Sequence, residues 1–472
     1  MQTLEWVDLA TGRADAFDGA EIGVEGWMAP AEIADRHDYF LLAPEPICCV
    51  SCLPTDPTRA IEVYAAEPIS ARGVPVRLHG RLHRLIDDPA GWRYQLRDAR
   101  EAPLSPAAVS RRDVMAAGAS LALAASVVPA PIAAQPASPA GSDRLAEARG
   151  LIAGNLTIDI HSHAGRISSR SSAPVGGVAG PMREGGMSVI CLAMVADTPV
   201  TRVLNNRISA IRAPEPGELY AWSQNAIIRV RQLVSDEQLV IVTNTASLRA
   251  AKAKGPAIIV SSEGADFLEG SVERVEEAYR DRQLRHLQLT HYRVNELGDI
   301  QTEPPVHGGL TDFGVEVIRA CNRLGIVVDV AHGTYDLVKR AASVTQKPLV
   351  LSHTSLSTSR TGYPPPLSRV ISADHAKVIA GTGGVIGIWP PVTIFPDKQA
   401  LAAGIARMVE VVGIDHVGIG SDMLGLLSPS AFASYSDLPD LAAALLAQGF
   451  APAEAAKILG GNYARVFAAS VG

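Results

Sequence analysis

Residues 157–163 read Thr-Ile-Asp-Ile-His-Ser-His, and they decide the fold because seven later stretches are built alike. Those are S-V-I-C-L-A-M-V (188–195), A-I-I-V-S-S-E-G (257–264), L-R-H-L-Q-L-T-H (284–291), G-I-V-V-D-V-A-H (325–332), P-L-V-L-S-H-T (348–354), G-G-V-I-G-I-W (383–389) and H-V-G-I-G-S-D (416–422). Runs this short and this rich in Val, Ile and Leu are expected to be strands buried on both faces. Helical stretches separate them. That alternation predicts an α/β chain with a parallel sheet, and eight repeats predict a (β/α)8 TIM barrel. Six runs end on a histidine, glutamate or aspartate: His161 and His163, Glu263, His291, His332, His353 and Asp422. Reactive groups of such barrels gather at the C-terminal strand ends. One pattern therefore points to a fold and to a metal-type active site.

The chain has 472 residues, which fits a barrel plus a smaller module. Hydrophobic residues make up 47% of it, enough for a large core. The formal net charge is −7, and no Lys/Arg stripe interrupts the sequence, which argues against a nucleic-acid partner. The cysteines are Cys48, Cys49, Cys52, Cys191 and Cys321, with no spacing that reads as a disulfide framework. Cys49-x-x-Cys52 has the spacing of a redox or metal pair but lacks a second ligand pair, so reduced or locally paired thiols are expected.

Three segments follow from composition. Residues 1–105 read as a small β-rich module of unknown role: G-V-P-V-R-L-H-G-R-L-H-R-L-I-D and G-W-R-Y-Q-L-R-D-A alternate apolar and polar residues around the turn signal Asp87-Asp88-Pro89-Ala90-Gly91. The stretch from Gly26 to Pro54 resembles small exported β-barrel modules of uncharacterised function. Residues 106–142 hold Arg111-Arg112, an apolar acid-free run and an Ala-x-Ala-like end at Ile132-Ala133-Ala134, which resembles a twin-arginine export signal with a Pro/Ser/Gly linker after it. Pro129 and Pro131 and an excess of Ala argue against a transmembrane helix there. Used as a signal, residues 110–134 would engage the export machinery and place the protein in the periplasm or outside the cell; unused, they imply the cytoplasm. An internal signal implies a fusion, a start nearer Val109, or an anchor between two domains, and the first two fit better.

The barrel is expected over residues 143–472. D-R-L-A-E-A-R-G-L-I-A-G-N is its leading helix. S-V-E-R-V-E-E-A-Y-R-D-R, T-D-F-G-V-E-V-I-R-A-C-N-R-L-G and S-A-D-H-A-K-V-I-A-G-T-G-G are helices between strands, the second with Thr311 as N-cap and Gly325 as stop. The long connection 196–256 carries a helix around E-L-Y-A-W-S-Q-N-A-I-I-R-V-R-Q-L-V and the apolar run L-V-I-V-T-N, and is expected to cover part of the site's mouth.

His161 and His163 lie two apart on a strand, so both rings face one way and can share one ion. Glu263 is costly to bury unpaired, and its two oxygens can bridge two cations. His332 and His353 end adjacent runs and can supply a second ion. Imidazole and carboxylate ligands favour zinc or a similar divalent transition metal. Two cations roughly 3.5–4 Å apart lower the pKa of a water from about 15.7 toward 7, which points to hydrolysis of a carbonyl compound. Asp422 can move the water's proton to a leaving amine, or cap a helix. His291 can donate to an oxyanion, or be a hydrogen-bonded rim histidine. Arg369, with Arg360 as competitor, can clamp a substrate carboxylate or form a surface salt bridge.

The ordered set D-I-H-S-H (159–163), S-E-G (262–264), L-T-H (289–291), G-L-T-D-F-G (309–314), N-R-L-G-I-V-V-D-V-A-H (322–332), S-H-T-S (352–355), V-G-I-G-S-D (417–422) and G-N-Y-A-R-V-F (461–467) resembles the renal (membrane) dipeptidase family of metallopeptidases. The resemblance covers about residues 155–468. It implies a (β/α)8 hydrolase with two zinc ions that cleaves dipeptides, some with a D-residue at the C-terminal side, and it implies a homodimer. By that resemblance His161 and His163 hold the first zinc, Glu263 bridges, and His332 and His353 hold the second. His291 stabilises the oxyanion, Arg369 holds the dipeptide carboxylate and Asp422 manages the proton. Two departures stand out: the family's usual aspartate is replaced by His163, and T-G-Y-P-P-P-L-S is inserted before Arg369. A related amidohydrolase acting on N-acyl amino acids, other amides or lactones is the competing enzyme reading. A barrel that only binds a ligand is opposed by the charge retained at a buried rim.

Overall fold

The computed structural model describes residues 2–30, 36–44, 60–70, 74–85, 93–102, 139–165, 167, 177–204, 207–357, 359, 368–426 and 429–472. The chain divides into two compact units, Met1–Asp143 and Arg144–Gly472.

The first unit contains β1 (Gln2–Leu4), β2 (Glu21–Pro30), β3 (Arg36–Ala43), β4 (Ile61–Ser70), β5 (Val76–Arg84) and β6 (Tyr94–Ala102). Pairing runs β2-β3-β4-β6-β5 and returns from β5 to β2, which closes the sheet. The β4–β6 contact is parallel and the other ring contacts are antiparallel. This is a five-stranded Greek-key barrel of the OB type. The two alternating stretches read in the sequence are β5 and β6, and their inward residues Leu78, Leu82 and Leu96 meet Ile22, Val24, Phe40, Leu42 and Val63 in one core. Cys48, Cys49, Cys52, the turn at 87–91 and the signal-like stretch 110–134 lie outside the described residues. Among the described residues no helix is long and apolar enough to cross a membrane.

The second unit contains β7 (Ile158–Ser162), β8 (Val189–Val195), β9 (Thr201–Leu204), β10 (Arg207–Ala210), β11 (Val240–Ile241), β12 (Ala257–Glu263), β13 (His286–Gln288), β14 (Val327–Asp329), β15 (Val350–Thr354), β16 (Val385–Ile388) and β17 (Val417–Ile419). All eight apolar runs are strands. They pair in parallel from β12 through β17 to β7 and β8, and β8 pairs back onto β12. The result is a closed eight-stranded parallel barrel wrapped by helices. Both faces of the strands are buried because the helices cover one and the barrel interior the other.

Periodicity places the core. Ala257 and Ile259 share a strand face with Glu263, so the cluster joining them to Val189, Cys191, Val327, Val350 and Val385 fills the barrel beneath the strand tips. Tyr463, Val466 and Phe467 of the helix Asn462–Val471 belong to that cluster and close its lower end. The alternate residues, such as Ile258, Val260, Val328 and Ile386, pack outward on the helices. Cys191 and Cys321 are free and buried.

Local chemistry sets the helices. Helix Asp312–Leu324 starts at Thr311, whose side chain accepts from the Gly314 N–H, and stops at Gly325 with φ 85°. Helix Ala373–Gly381 starts at Ser372 in the same way. The connection 196–256 holds the expected helix, Glu218–Glu237. L-V-I-V-T-N yields only β11, which extends the sheet beside the start of β12, outside the ring. The β9–β10 hairpin leans on the loop after β13: Ser209 donates to Glu303 at 3.1 Å, and Arg207 donates to the Thr302 carbonyl. Both segments leave from C-terminal strand ends, so this contact lies on the side where a barrel carries its site.

Candidate active site

Glu263, the last residue of β12, is the centre of the arrangement. Its Oε1 lies 3.2 Å from His332 Nε2, 3.3 Å from His353 Nε2 and 3.5 Å from His161 Nε2. Its Oε2 lies 3.2 Å from His163 Nε2 and 3.3 Å from His291 Nε2. Residues more than 180 positions apart in sequence are thus brought to one carboxylate. All are buried except His163, which is half-buried.

The imidazoles form two couples. His161 Nε2 and His163 Nε2 are 3.1 Å apart, and so are His332 Nε2 and His353 Nε2. Two nitrogens bound tetrahedrally to one zinc at 2.0–2.1 Å stand about 3.4 Å apart, so each couple has the bite of a shared ion. Burial holds His332 and His353 well below the ordinary histidine range, and the Arg369 charge (for His332) and His161 (for His353) add to this. They are therefore neutral, the form in which imidazole is a ligand. Burial also lowers His163, but its hydrogen bonds to Asp422 and Glu263 outweigh this and raise it to about 10, so without an ion it is cationic and would give up its proton to bind one. Burial would raise Glu263, yet the charges of His291, His161 and His163 keep it well below the usual carboxylate range. An anionic centre ringed by imidazole nitrogens suits divalent cations of the zinc type.

Asp422 stands on the His161–His163 side. Its Oδ1 is 3.2 Å from His163 Nε2 and 4.0 Å from His161 Nε2. His291 turns its Nδ1 to Asp197 Oδ1 at 2.7 Å, which leaves Nε2 facing Glu263. The ligand atoms of Glu263, His291 and His332 also lie within 4.8 Å of one another, so His291 stands as near the centre as the couples do.

The sequence places the polar tips at strand ends, with His161 and His163 on one strand, but His163, His291, His332 and Asp422 lie beyond them, because β7, β13, β14 and β17 stop at Ser162, Gln288, Asp329 and Ile419. The chain leaves the ladder there to turn side chains inward. His332 has φ 67° and Asp422 has φ 49°. Left-handed conformations cost non-glycine residues about 1–3 kcal/mol and persist where surrounding contacts hold them. Gly425 fits the same crowding: a Cβ there would meet Asp422 Oδ1 at 2.1 Å and His163 Cδ2 at 2.3 Å.

Arg369 is buried at the rim. Its Nη2 donates to the His353 carbonyl at 3.2 Å, while Nε and Nη1 have no hydrogen-bond partner. Its guanidinium carbon lies 5.7 Å from the centre of the Trp389 ring. Arg360 lies outside the described residues, as does most of the insertion before Arg369.

Sequence reading missed three residues. Asp197 follows the second run by two positions, accepts from the Tyr292 N–H at 3.0 Å and holds His291. Trp389 closes the seventh run, and its indole N–H donates to Asp422 Oδ2 at 3.1 Å. The Tyr292 ring stands 4.5 Å from that of His291 and 4.8 Å from that of His332, with burial pushing its phenol up to about 12. The usable signal was position: Trp389 ends, and Asp197 closely follows, the two runs that end on no titratable group.

Comparison with known proteins bears on the family and the fold. The family model "Membrane dipeptidase (Peptidase family M19)" matches residues 184–471. Dipeptidase aclJ of Aspergillus oryzae is 30% identical over 217 residues, 44% of this chain and 50% of that protein. Dipeptidase verJ of Clonostachys rogersoniana is 30% identical over 189 residues, 39% of this chain and 47% of that protein. The chain thus spans about half the length of these curated relatives. Among solved structures, the probable dipeptidase PvdM of Pseudomonas aeruginosa superposes with a TM-score of 0.59 at 18% identity, covering 71% of this chain and 99% of that one. A metallo peptidase of Rhodobacter sphaeroides, liganded with a phosphinate mimic of the dipeptide L-Ala-D-Ala, gives 0.54 at 20% identity, covering 67% and 99%. These structural likenesses establish the barrel fold, and the family match over most of the second unit establishes that the chain belongs to the membrane dipeptidase family, peptidase family M19.

Proposed function

We propose that the chain is a dipeptidase that works with two zinc ions. The observation that carries this is the set of two imidazole couples, each 3.1 Å across, facing the two oxygens of one buried glutamate. His161 and His163 would hold the first ion, His332 and His353 the second, and Glu263 both. Bound there, the ions would acidify the attacking water and polarise the scissile carbonyl.

The chain's own residues supply the rest. Asp422, with Oδ1 3.2 Å from His163 Nε2, would take the water's proton and return it to the leaving amine. His291, oriented by Asp197, presents Nε2 toward the centre and can donate to the oxyanion once that nitrogen carries a proton. Arg369 offers two unpartnered donors from a buried guanidinium, which suits a carboxylate held by forked hydrogen bonds. A free C-terminal carboxylate lies next to the scissile bond of a dipeptide.

A second reading, hydrolysis of N-acyl amino acids or related amides, draws support from His163, an imidazole where the resemblance implies a carboxylate. Such substrates share the carboxylate but lack the free amine. Zinc-reconstituted protein assayed with L,L- and L,D-dipeptides and with N-acetylated and C-amidated counterparts separates the two. Turnover of free dipeptides alone supports the first, preference for the acylated compounds supports the second, and an active protein without bound metal sinks both.

We also infer export by the twin-arginine route from Arg111-Arg112 and the apolar run after them. N-terminal sequencing of the secreted product tests it, and a product that retains residues 1–105 refutes cleavage after Ala134.

A further inference from the structure

Two aspartates that no role above uses are fully buried one level beneath the site: Asp159 on β7 and Asp329 on β14. They make the same contacts on opposite sides of Glu263. Asp329 Oδ1 accepts the N–H of Ala331, two residues past the end of its strand, at 3.0 Å, and the N–H of Ser352 on β15 at 3.1 Å. Asp159 Oδ1 accepts the N–H of His161, two residues along, at 3.4 Å, and the N–H of Ser421 after β17 at 2.9 Å. In each case the neighbouring serine directly precedes a site residue, His353 or Asp422.

The second oxygens are held differently. Asp159 Oδ2 accepts from Tyr435 Oη at 2.7 Å and from the Ser421 hydroxyl. Asp329 Oδ2 lies 3.1 Å from His286 Nε2, and His286 Nδ1 lies 2.7 Å from Tyr463 Oη. Each aspartate is thus fixed at both oxygens and cannot swing.

The contacts meet the strained positions. Ala331 directly precedes His332, and Ser421 directly precedes Asp422, the two site residues with left-handed backbones. A carboxylate that grips the amide just before the turn fixes where the turn begins. It also ties two strand ends at one height: the last β14–β15 partners are Asp329 and Val350, while Ile419 pairs with Asp159 and the two chains pair again above the carboxylate at Met423 and Ser162, where the Asp422 N–H donates to the His161 carbonyl at 3.0 Å.

We propose that Asp159 and Asp329 are separate positioning residues for the two ion sites, Asp159 setting the His161–His163–Asp422 side and Asp329 the His332–His353 side. The inference rests on the two-ion reading above and adds that each half of the centre has its own support. Outer-shell partners of metal ligands typically change affinity 10–100-fold when lost.

The test is zinc release from the full-length, zinc-loaded chain into a coloured chelator, with zinc per chain measured by mass spectrometry and occupancy at each position by anomalous diffraction. Asp329→Asn should speed release of one ion about tenfold and empty the His332–His353 position first. Asp159→Asn should speed release of the other and empty the His161–His163 position first. If either asparagine variant fails to fold, His286→Gln and Tyr435→Phe loosen the same carboxylates more gently, and should show the same selectivity with smaller effect. Equal loss of both ions in each variant, or release unchanged from wild type, overturns the proposal. A wild-type chain that takes up no zinc overturns the two-ion reading itself, and with it this one; a wild type with two ions and unselective variants overturns only this one.

Discussion

Trp389 and Asp422 are joined by a hydrogen bond of 3.1 Å from the indole N–H to Oδ2, while the other oxygen of that carboxylate stands 3.2 Å from His163 Nε2. The indole therefore decides which Asp422 oxygen faces the centre. The same ring lies under the Arg369 guanidinium, 5.7 Å from its carbon. One side chain touches both the residue proposed to move the proton and the residue proposed to hold the substrate carboxylate.

The two contacts can be separated. Trp389→Phe keeps a ring for Arg369 and removes the N–H. A hydrogen bond to a charged group contributes about 1.5–3 kcal/mol, so kcat should fall roughly tenfold to a hundredfold. KM for a free dipeptide should stay within about twofold, since the cation–π contact is kept. Trp389→Leu should lower kcat likewise and also raise KM. Steady-state kinetics on both variants check this; equal KM values in the two would detach Trp389 from the clamp.

Arg369 gives a second expectation. Its free Nε and Nη1 are already stripped of water and have no partner to give up. Arg369→Met keeps much of the stem and removes the fork. KM for free dipeptides should rise by about tenfold or more, as expected for losing a charge-assisted pair. KM for C-amidated dipeptides should hardly change. A parallel rise for both would show that Arg369 supports the loop and not the ligand.

Asp197 separates proton positioning from ion binding. It contacts His291 Nδ1 at 2.7 Å and the Tyr292 N–H at 3.0 Å, but none of the four paired imidazoles. Asp197→Asn should lower kcat about 10–100-fold, the usual effect of losing an outer-shell partner, with zinc per chain unchanged. Loss of zinc in step with activity would instead make His291 a ligand.

Much of this centre was legible because burial and charge conflict in the sequence. A histidine or glutamate at the end of a Val/Ile/Leu run has no solvent to face, so it needs a partner, and the fold class says where that partner is. Glu263, His161, His332 and His353 follow from that logic, and the three imidazoles lie within 3.2–3.5 Å of one Glu263 carboxylate oxygen. Trp389 carried no such conflict, because an aromatic at the end of an apolar run looks like core. Asp197 follows β8 after Ala196 and reads as a turn residue. Asp159 and Asp329 are mid-run carboxylates, and their partners are backbone amides on neighbouring strands, which no residue pattern reveals. The left-handed turns at His332 and Asp422 were equally hidden, because neither position is glycine.

His375 tests the electrostatics away from the site. It lies in the helix Ala373–Gly381, buried, with Nε2 unpartnered and its ring 5.4 Å from that of Tyr335. Burial alone lowers it to about 4. Its unfolded value is about 6.5, so below that pH the unfolded chain takes up a proton that the folded chain refuses. The group thus has no effect above about pH 6.5 and destabilises progressively as pH falls toward 4, by on the order of 3 kcal/mol at the end. His375→Leu removes the proton site and keeps the volume apolar. Thermal midpoints of the two full-length chains, measured from pH 7.5 down to pH 4.5, should diverge in favour of the variant only on the acid side. Curves that stay parallel across that range would mean that His375 finds a proton acceptor when charged.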